Sequence, residues 1–543
     1  MAGGPVDRKT VAGKAGSQRG LVGDSAQIAV AVGVSRLSGL FRIMLAAAVL
    51  GSTVLGDLFV AVNVLPLTLY DVVAGSAISS VLVPPLVRFI DRGQMDRARR
   101  LAGNALGLIF LVMAAVSALA VLGRGWVAAA LTSGVSDLLA NEAARIGGLL
   151  VLLIAPQLVA YAAIGVFVSI QHAHRRFLLP SAAPIVENIG LIITIGIAWA
   201  IYGGGREVTD TPIGLILVLG LGSGLSVLAH VLVQYVGARR AAGGVGFGTD
   251  WRDPSIRRLA GPTRDSFGWS TVIALRHFAL IVAAGFAGAG GIQAFEIATL
   301  AYIIPVALVG RPIASAALPR LARRAAGSKA LLSGYLAALR LAAWVAVPAG
   351  LALILLSRPL AAALAQGQFD GPDSSKMLAF GLAGLGLGAA SDALFEVARQ
   401  ATMARGETAG LRRSSVIRAL AAIIGIPLVV VTLDGASVLL ALGLVVSFGD
   451  LTAFVVTHRA LRSDPAWPID SNRYWPRIVV ASLLGLVPVA LLAPASAPMG
   501  DTATLGVVAA AAVILYSAVA FVVTDRGRMI SSLGATFARE ELA

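Results

Sequence analysis

Apolar positions in this chain come in long unbroken runs rather than alternating along strands or marking one face of a soluble helix. A helix needs about 20 mostly apolar residues to cross a hydrocarbon core. Runs of that length are predicted near 25–50, 56–87, 101–123, 146–170, 179–203, 212–237, 265–289, 291–318, 331–356, 377–402, 414–433, 436–458, 476–494 and 503–524, fourteen segments in all. The second and eighth are long and contain Pro66 and Pro305, which predict bends because proline removes a helical hydrogen bond.

The polar stretches between the runs carry a second pattern. Arginine collects after every even-numbered segment: Arg88 to Arg100, His172 to Arg176 ("HAHRR"), Arg239 to Arg258, Arg320 to Lys329, Arg405 to Arg413, Arg459 to Arg473, and Arg526 with Arg528. The odd-numbered exits are neutral or acidic, such as "GSTVLG", Asp434 and Asp501. Basic loops stay on the cytoplasmic side, so both termini are expected there, in a multi-pass protein of a bacterial cytoplasmic membrane.

Composition agrees. Of 543 residues, 57% are hydrophobic and only 13% charged, with a mean hydropathy of +0.86. The net charge of +15 belongs to topology-setting loops, and nucleic acid is not an expected partner. There is no cysteine, hence no disulfide framework and no Cys-ligated metal. Residues 1–24 are polar and basic, without a cleavable apolar core, and read as a cytoplasmic tail.

A repeat is visible. Arg36, Asp57 and Pro66 precede "AISSVLVPPLVRF", and Arg276, Glu296 and Pro305 precede "PIASAALPRLARR". Acid and proline are 9 residues apart in both. The copies start six segments apart, which predicts a parallel repeat of the kind found in transporters. The expected fold class is an all-α integral membrane protein of fourteen transmembrane helices. It comprises a tail (1–24), an N-lobe (25–240), a cytoplasmic linker (241–263), a C-lobe (264–460), a terminal helix pair (474–524) and a second tail (525–543).

The stretches "SRLSGLFRIMLAAAVLGSTVLGDLFVAVNVLP", "GSAISSVLVPPL", "HAHRRFLLPSAAPIVENIG" and "IPVALVGRPIASAALPRL" resemble the MurJ/MviN family of lipid II flippases. That family belongs to one superfamily with MATE exporters and polysaccharide-repeat flippases. The resemblance implies alternating-access movement of a polyprenyl-pyrophosphate-linked peptidoglycan precursor. It also implies a cationic cavity between the lobes, a lipid-tail groove at helices 13–14, and cell-wall synthesis proteins as partners in the bilayer. Arg36, Arg42 and Asp57 match family positions. The chain departs from the family at Tyr70, where an arginine is usual, at Gly75 and Ser76, where an acid-glycine pair is usual, and at Leu300 and Ile303, where the family has an arginine and a glutamate.

Charge inside a membrane helix costs about 2.5–3.5 kcal/mol per residue on insertion scales, so each such residue is a functional candidate. Arg36, Arg42 and Arg276, with Asp57 and Glu296 as their acids, are the expected substrate-binding set; structural ion pairs locking helices are the competing reading. A pyrophosphate favours forked, permanently charged arginines over lysine. Glu187, Asn188, Asp392 and Glu396 are candidates for coupling transport to the membrane potential, Na+ or H+. Glu187 and Asn188 serve equally as helix-contact hydrogen bonders, and Asp392, Glu396 and Arg399, on one helix face at i, i+4 and i+7, read as a self-neutralising pair near the cytoplasmic end. His172 and His174 read as solvated. "GLAGLGLG" and "GFAGAGG" read as small-residue helix packing, because no strand or following Lys-Ser/Thr makes them phosphate loops. No enzyme motif, cofactor site or metal site is evident. Three rival functions stay open: a flippase for another lipid-linked glycan, a MATE-like cation-coupled exporter, and a non-transporting scaffold.

Overall fold

The computed structural model describes residues 8–73, 75–307, 313, 329–405, 408–465, 467, 475–492 and 512–518. Among the described residues every regular element is helical. Nine helices are long and apolar enough to cross a membrane, and Val54–Pro66, Val272–Ala287, Gly291–Pro305 and Trp475–Leu491 are shorter apolar helices. The chain is a multi-pass membrane protein. The segment near 503–524 is described only at 512–518; Pro319, the arginines at 320–324 and the tail 525–543 lie outside the described residues.

α1 (Arg8–Leu50) begins inside the stretch read as a tail. α2 (Val54–Val73) carries Pro66 within it, and the segment divides between Val73 and the start of α3 (Gly75–Asp91). The helix continues through Pro66, since one missing hydrogen bond is tolerated inside a packed helix. α4 (Met95–Leu122) leads through Gly123 into an eight-residue helix, α5 (Arg124–Leu131). The fourth apolar segment is two helices, α6 (Asp137–Ile154) and α7 (Gln157–Ala173), parted at Pro156. α8 (Leu178–Ala182), α9 (Pro184–Tyr202) and α10 (Ile213–Ala242) complete the first half.

The second half opens with α11 (Pro254–Ala284) and α12 (Gly291–Pro305). The helix loosens into a π turn after Pro305, as the proline predicted. α13 (Lys329–Leu355) leads through Leu356 into a second eight-residue helix, α14 (Ser357–Leu364). This repeats the α4–α5 arrangement at the corresponding place. α15 (Pro372–Ala404), α16 (Thr408–Thr432), α17 (Ala436–Arg462) and α18 (Trp475–Leu492) follow.

"GLAGLGLG" lies in α15 and packs as its small residues predicted. A Cβ on Gly384 would lie 2.4 Å from the Leu440 carbonyl of α17, and one on Gly350 of α13 would lie 2.5 Å from the Gly386 carbonyl. Gly384 and Gly386 point to opposite sides, so α15 is clamped between two backbones. Ser447 Oγ donates to Gly384 O at 2.7 Å and accepts from Gly388 N at 2.8 Å, tying the seam. "GFAGAGG" corrects the sequence reading. It is the turn from α11 to α12, and Gly288 (φ 106°) and Gly290 (φ 87°) occupy positive-φ conformations open to glycine.

That turn helps close one end of the molecule, called here the neutral end because the basic loops lie at the other. Ser52 Oγ donates to Ala289 O at 2.8 Å, and Gln293 Nε2 donates to Gly51 O at 2.7 Å. Asp57 of α2 accepts from Gly290 N at 2.8 Å and from Gln293 N at 2.9 Å. The N-cap of α12 is Gly290, which has no side chain to satisfy the first amides of the helix. Asp57 caps α12 from the other half, and its charge is favourable at the positive end of the helix dipole.

Gly384→Ala is expected to lower the melting temperature of the purified protein, by overpacking worth about 1–3 kcal/mol. Gly196→Ala is expected not to, because nothing lies within 4 Å of that Cβ. Thermal denaturation in detergent compares the two.

Asp57→Asn removes the charge and sets an amide NH2 against one of the two backbone donors, which breaks the cap. Loss of a cap costs about 1 kcal/mol, or roughly fivefold in opening. The cysteine-free chain permits a single Ser52→Cys reporter, and an impermeant maleimide is expected to label it about fivefold faster in the Asp57→Asn background. An unchanged rate would remove Asp57 from the closure.

Candidate functional site

Charged side chains gather between the halves, where α1 and α2 pack on α12, and α2 on α11. Val30, Val34, Leu37 and Phe41 are exposed along one stripe of α1. At 100° per residue Arg36 stands roughly 130° from that stripe. It lies instead on the flank of Ile43 and Ala47, which are buried about two and three turns nearer the neutral end. Arg36 itself is exposed. The flank is thus exposed at Arg36 and packed at Ile43. Arg36 is 14 residues from Leu50, about 21 Å of helix, so the expected Arg36–Asp57 pairing is not formed. Asp57 serves α12 instead.

Arg42 is half-buried and lies eight residues from the end of α1. Its charge acts on Glu187 of α9 and on Glu296 of α12, an acid from each half. Arg276 is also eight residues from the end of its helix, α11. By depth it matches Arg42, not Arg36 as the linear repeat suggested.

The pairing of Arg276 with Glu296 is also corrected. Glu296, 4% exposed, faces His277 Nε2 at 3.5 Å. One residue turns a helix by 100°, and that turn directs Arg276 to α17, where Asp450 Oδ1 lies at 3.6 Å. Asp450 is fully buried. It accepts from the Tyr302 hydroxyl at 2.6 Å and has Arg418 Nε at 3.2 Å. Arg418 Nη2 donates to Asp392 at 2.7 Å, and its guanidinium sits 4.2 Å from the Phe395 ring centre. Two arginines and two aspartates on four helices thus cancel.

Asp392 therefore belongs to a network between helices. Glu396 forms the expected local pair, bound by Arg399 Nη2 at 2.6 Å and Nε at 2.9 Å. Asn188 makes the helix contact, donating to Ser38 Oγ at 2.8 Å and Ser35 O at 3.3 Å. Glu187 accepts from Tyr161 at 2.7 Å and pairs with His230 Nδ1 at 2.8 Å. His172 and His174 are half-buried rather than solvated, and His174 Nδ1 meets Ile170 O at 2.9 Å. No group of acids and histidines suited to a metal occurs among the described residues.

The two polar clusters correspond. Tyr161, Glu187 and His230 lie on α7, α9 and α10; Asp392, Arg418 and Asp450 lie on α15, α16 and α17, the equivalent helices. Tyr161 to Glu187 and Asp392 to Arg418 are both 26 residues. Sequence reasoning passed over Tyr161, His230, His277, Tyr302, Arg418 and Asp450. Lone charges at Arg418 and Asp450 inside apolar runs were the available signal. Beside these clusters lies an apolar cavity of about 230 Å³, lined by Val62, Leu65, Ala274, Leu275 and Phe278 among others, which offers nothing to an anion.

The comparisons agree with this architecture. A flippase from Rhizobium meliloti (strain 1021), described as a probable lipid II flippase MurJ, is 28% identical over 364 residues, 65% of each chain. The matched region is thus just under two thirds of that relative's length. A solved lipid II flippase MurJ in an inward closed conformation superposes with a TM-score of 0.72 at 17% identity, covering 91% of this chain and 98% of that one. An inward-facing multidrug resistance MATE transporter of the MOP superfamily gives 0.61 at 14% identity, covering 79% and 95%. Both show the fold. The family described as lipid II flippase MurJ matches residues 46–514, most of the chain, and the protein belongs to that family.

Proposed function

We propose that the protein is a flippase that moves a polyprenyl-pyrophosphate-linked peptidoglycan precursor, lipid II, across the bacterial cytoplasmic membrane by alternating access. On this reading fourteen helices form two six-helix lobes, 25–240 and 264–460, with a pair at 474–524. The basic loops and both termini are cytoplasmic. What supports the reading is Arg42 and Arg276, each eight residues from the end of α1 and α11, with Arg36 exposed farther from the end that Asp57 helps close. A diphosphate entering from the basic end meets forked donors on α1 and α11. Arg276 suits exchange, because its 3.6 Å contact with Asp450 is loose and Arg418 already holds that carboxylate. Anion binding then leaves no acid unpaired. A MATE-like exporter of cations is disfavoured for the same reason: Arg418 and Arg276 neutralise Asp392 and Asp450, leaving no net acidic wall.

Complementation of a flippase-depleted bacterium tests the substrate class. In vesicles, translocation of fluorescent lipid II is expected to fall about tenfold or more in Arg36→Ala, Arg42→Ala and Arg276→Ala, the loss of a charge-assisted contact. The lysine variants recover part of it, because a point charge loses the fork. Arg145→Ala, which breaks only an exposed pair with Glu142, leaves transport unchanged. Normal transport in both Arg36→Ala and Arg42→Ala would overturn the cavity assignment.

A further inference from the structure

Asp450 of α17 has no exposed surface, yet its Oδ1 forms no hydrogen bond. Two guanidinium nitrogens stand near that oxygen, Arg418 Nε at 3.2 Å and Arg276 Nη1 at 3.6 Å, the first off line and the second too far to donate. The other oxygen is bonded, since the Tyr302 hydroxyl donates to Oδ2 at 2.6 Å. The surroundings keep this acid in place. Ser447, about one turn earlier on α17, ties that helix to α15 through Gly384 and Gly388. The Tyr302 ring packs on Gly388, where a Cβ would stand 3.2 Å from it. Arg418 is held by Asp392 and lies against Phe395. Arg276 is the member with room to move. Its side chain is 19% exposed, and at 3.6 Å it has a charge contact with Asp450 but no hydrogen bond to break.

A fixed carboxylate that attracts a movable arginine is a resident substitute for an arriving anion. We propose that Asp450 competes with the substrate's phosphate for Arg276, and that Tyr302 is the positioning residue that sets the strength of this competition. This rests on the reading above that Arg276 receives a diphosphate, and it names what regulates that site. While the site is empty, Asp450 balances a guanidinium that would be costly to leave unpaired. A diphosphate offers what Asp450 Oδ1 does not, oxygens that can meet the guanidinium fork in line. Arg276 turns to the anion, and Asp450 keeps the Tyr302 bond and the Arg418 charge. The affinity of the site is thus a difference between two contacts of one guanidinium. When the head group leaves, Asp450 takes Arg276 back, so release does not strand a charge.

Tyr302 acts through Asp450. Without its hydroxyl the buried carboxylate would have no hydrogen bond among the described residues, and the movable Arg276 would be drawn in to supply one. The anion would then have to displace a tighter contact. Two substitutions therefore act in opposite directions. Asp450→Asn removes the competitor and is expected to tighten pyrophosphate binding about tenfold. Tyr302→Phe keeps every charge and is expected to weaken it about threefold. A network that only held helices together would weaken binding in both or change it in neither.

Calorimetry of the purified full chain with inorganic pyrophosphate at pH 8 measures these affinities, with Asp450→Asn read alone and in an Arg276→Ala background. The gain is expected to vanish without Arg276, whereas a gain due to net charge alone would persist. Shifts of the same sign, or a gain that survives the loss of Arg276, would overturn the competition while leaving the anion cavity standing. Tyr302→Phe removes one hydroxyl and decides alone if Asp450→Asn does not fold: binding equal to wild type, or tighter, would overturn the proposal. Pyrophosphate binding that is absent from wild type, or undiminished in Arg276→Ala, would overturn the anion reading and this inference with it.

Discussion

Asp57 fills a position that a helix ordinarily fills from its own chain. α12 starts at a glycine turn, and the amides of Gly290 and Gln293 find their acceptor in a carboxylate from α2, which supplies both bonds. The helix end and the acid thus satisfy each other only while the halves are together at the neutral end. Separation there would bare two amides and a charge at once. Together with the Ser52–Ala289 and Gln293–Gly51 bonds, this exchange joins the halves at the neutral end.

The remaining charges obey a related constraint. A buried guanidinium or carboxylate is tolerated only with a partner, and each half meets the requirement differently. The second half gathers Asp392, Arg418, Asp450 and Arg276 into a network whose charges cancel within itself. The first half holds Glu187 between His230 of α10 and Tyr161 of α7. Each cluster closes within its own half.

Much of the architecture was legible in the sequence, because lipid imposes long apolar runs and clamped helices impose glycine. The runs gave the helices, and "GLAGLGLG" gave the seam of α15. The partners of the charges were not legible. Arg276 and His277 differ by one residue, and only the packed helix decides which of them meets Glu296. Arg36 and Asp57 look paired in linear spacing, yet Arg36 lies about 21 Å of helix before the end of α1, and Asp57 sits in the first turn of α2 just beyond the reversal at Gly51. The "GFAGAGG" turn misled for a local reason: glycine serves close packing and positive φ equally, and composition does not tell them apart.

The strap before α11 ties that helix to the first half although its far end is built into the second. Gly248 N donates to Gly103 O at 3.0 Å, and Arg99 Nε donates to Ala242 O at 2.9 Å, so residues 242–248 lie along α4. Asn104 reaches the Asp253 carboxylate, the N-cap of α11, at 3.4 Å. At 31 residues α11 is about 46 Å long. A rod of that length held at one end is a lever: turning it by about 10° sweeps the other end through roughly 8 Å, about the separation of two packed helices. Small angular play at Asp253 is thereby amplified at the α11–α12 turn, where the halves meet, without any helix having to unwind.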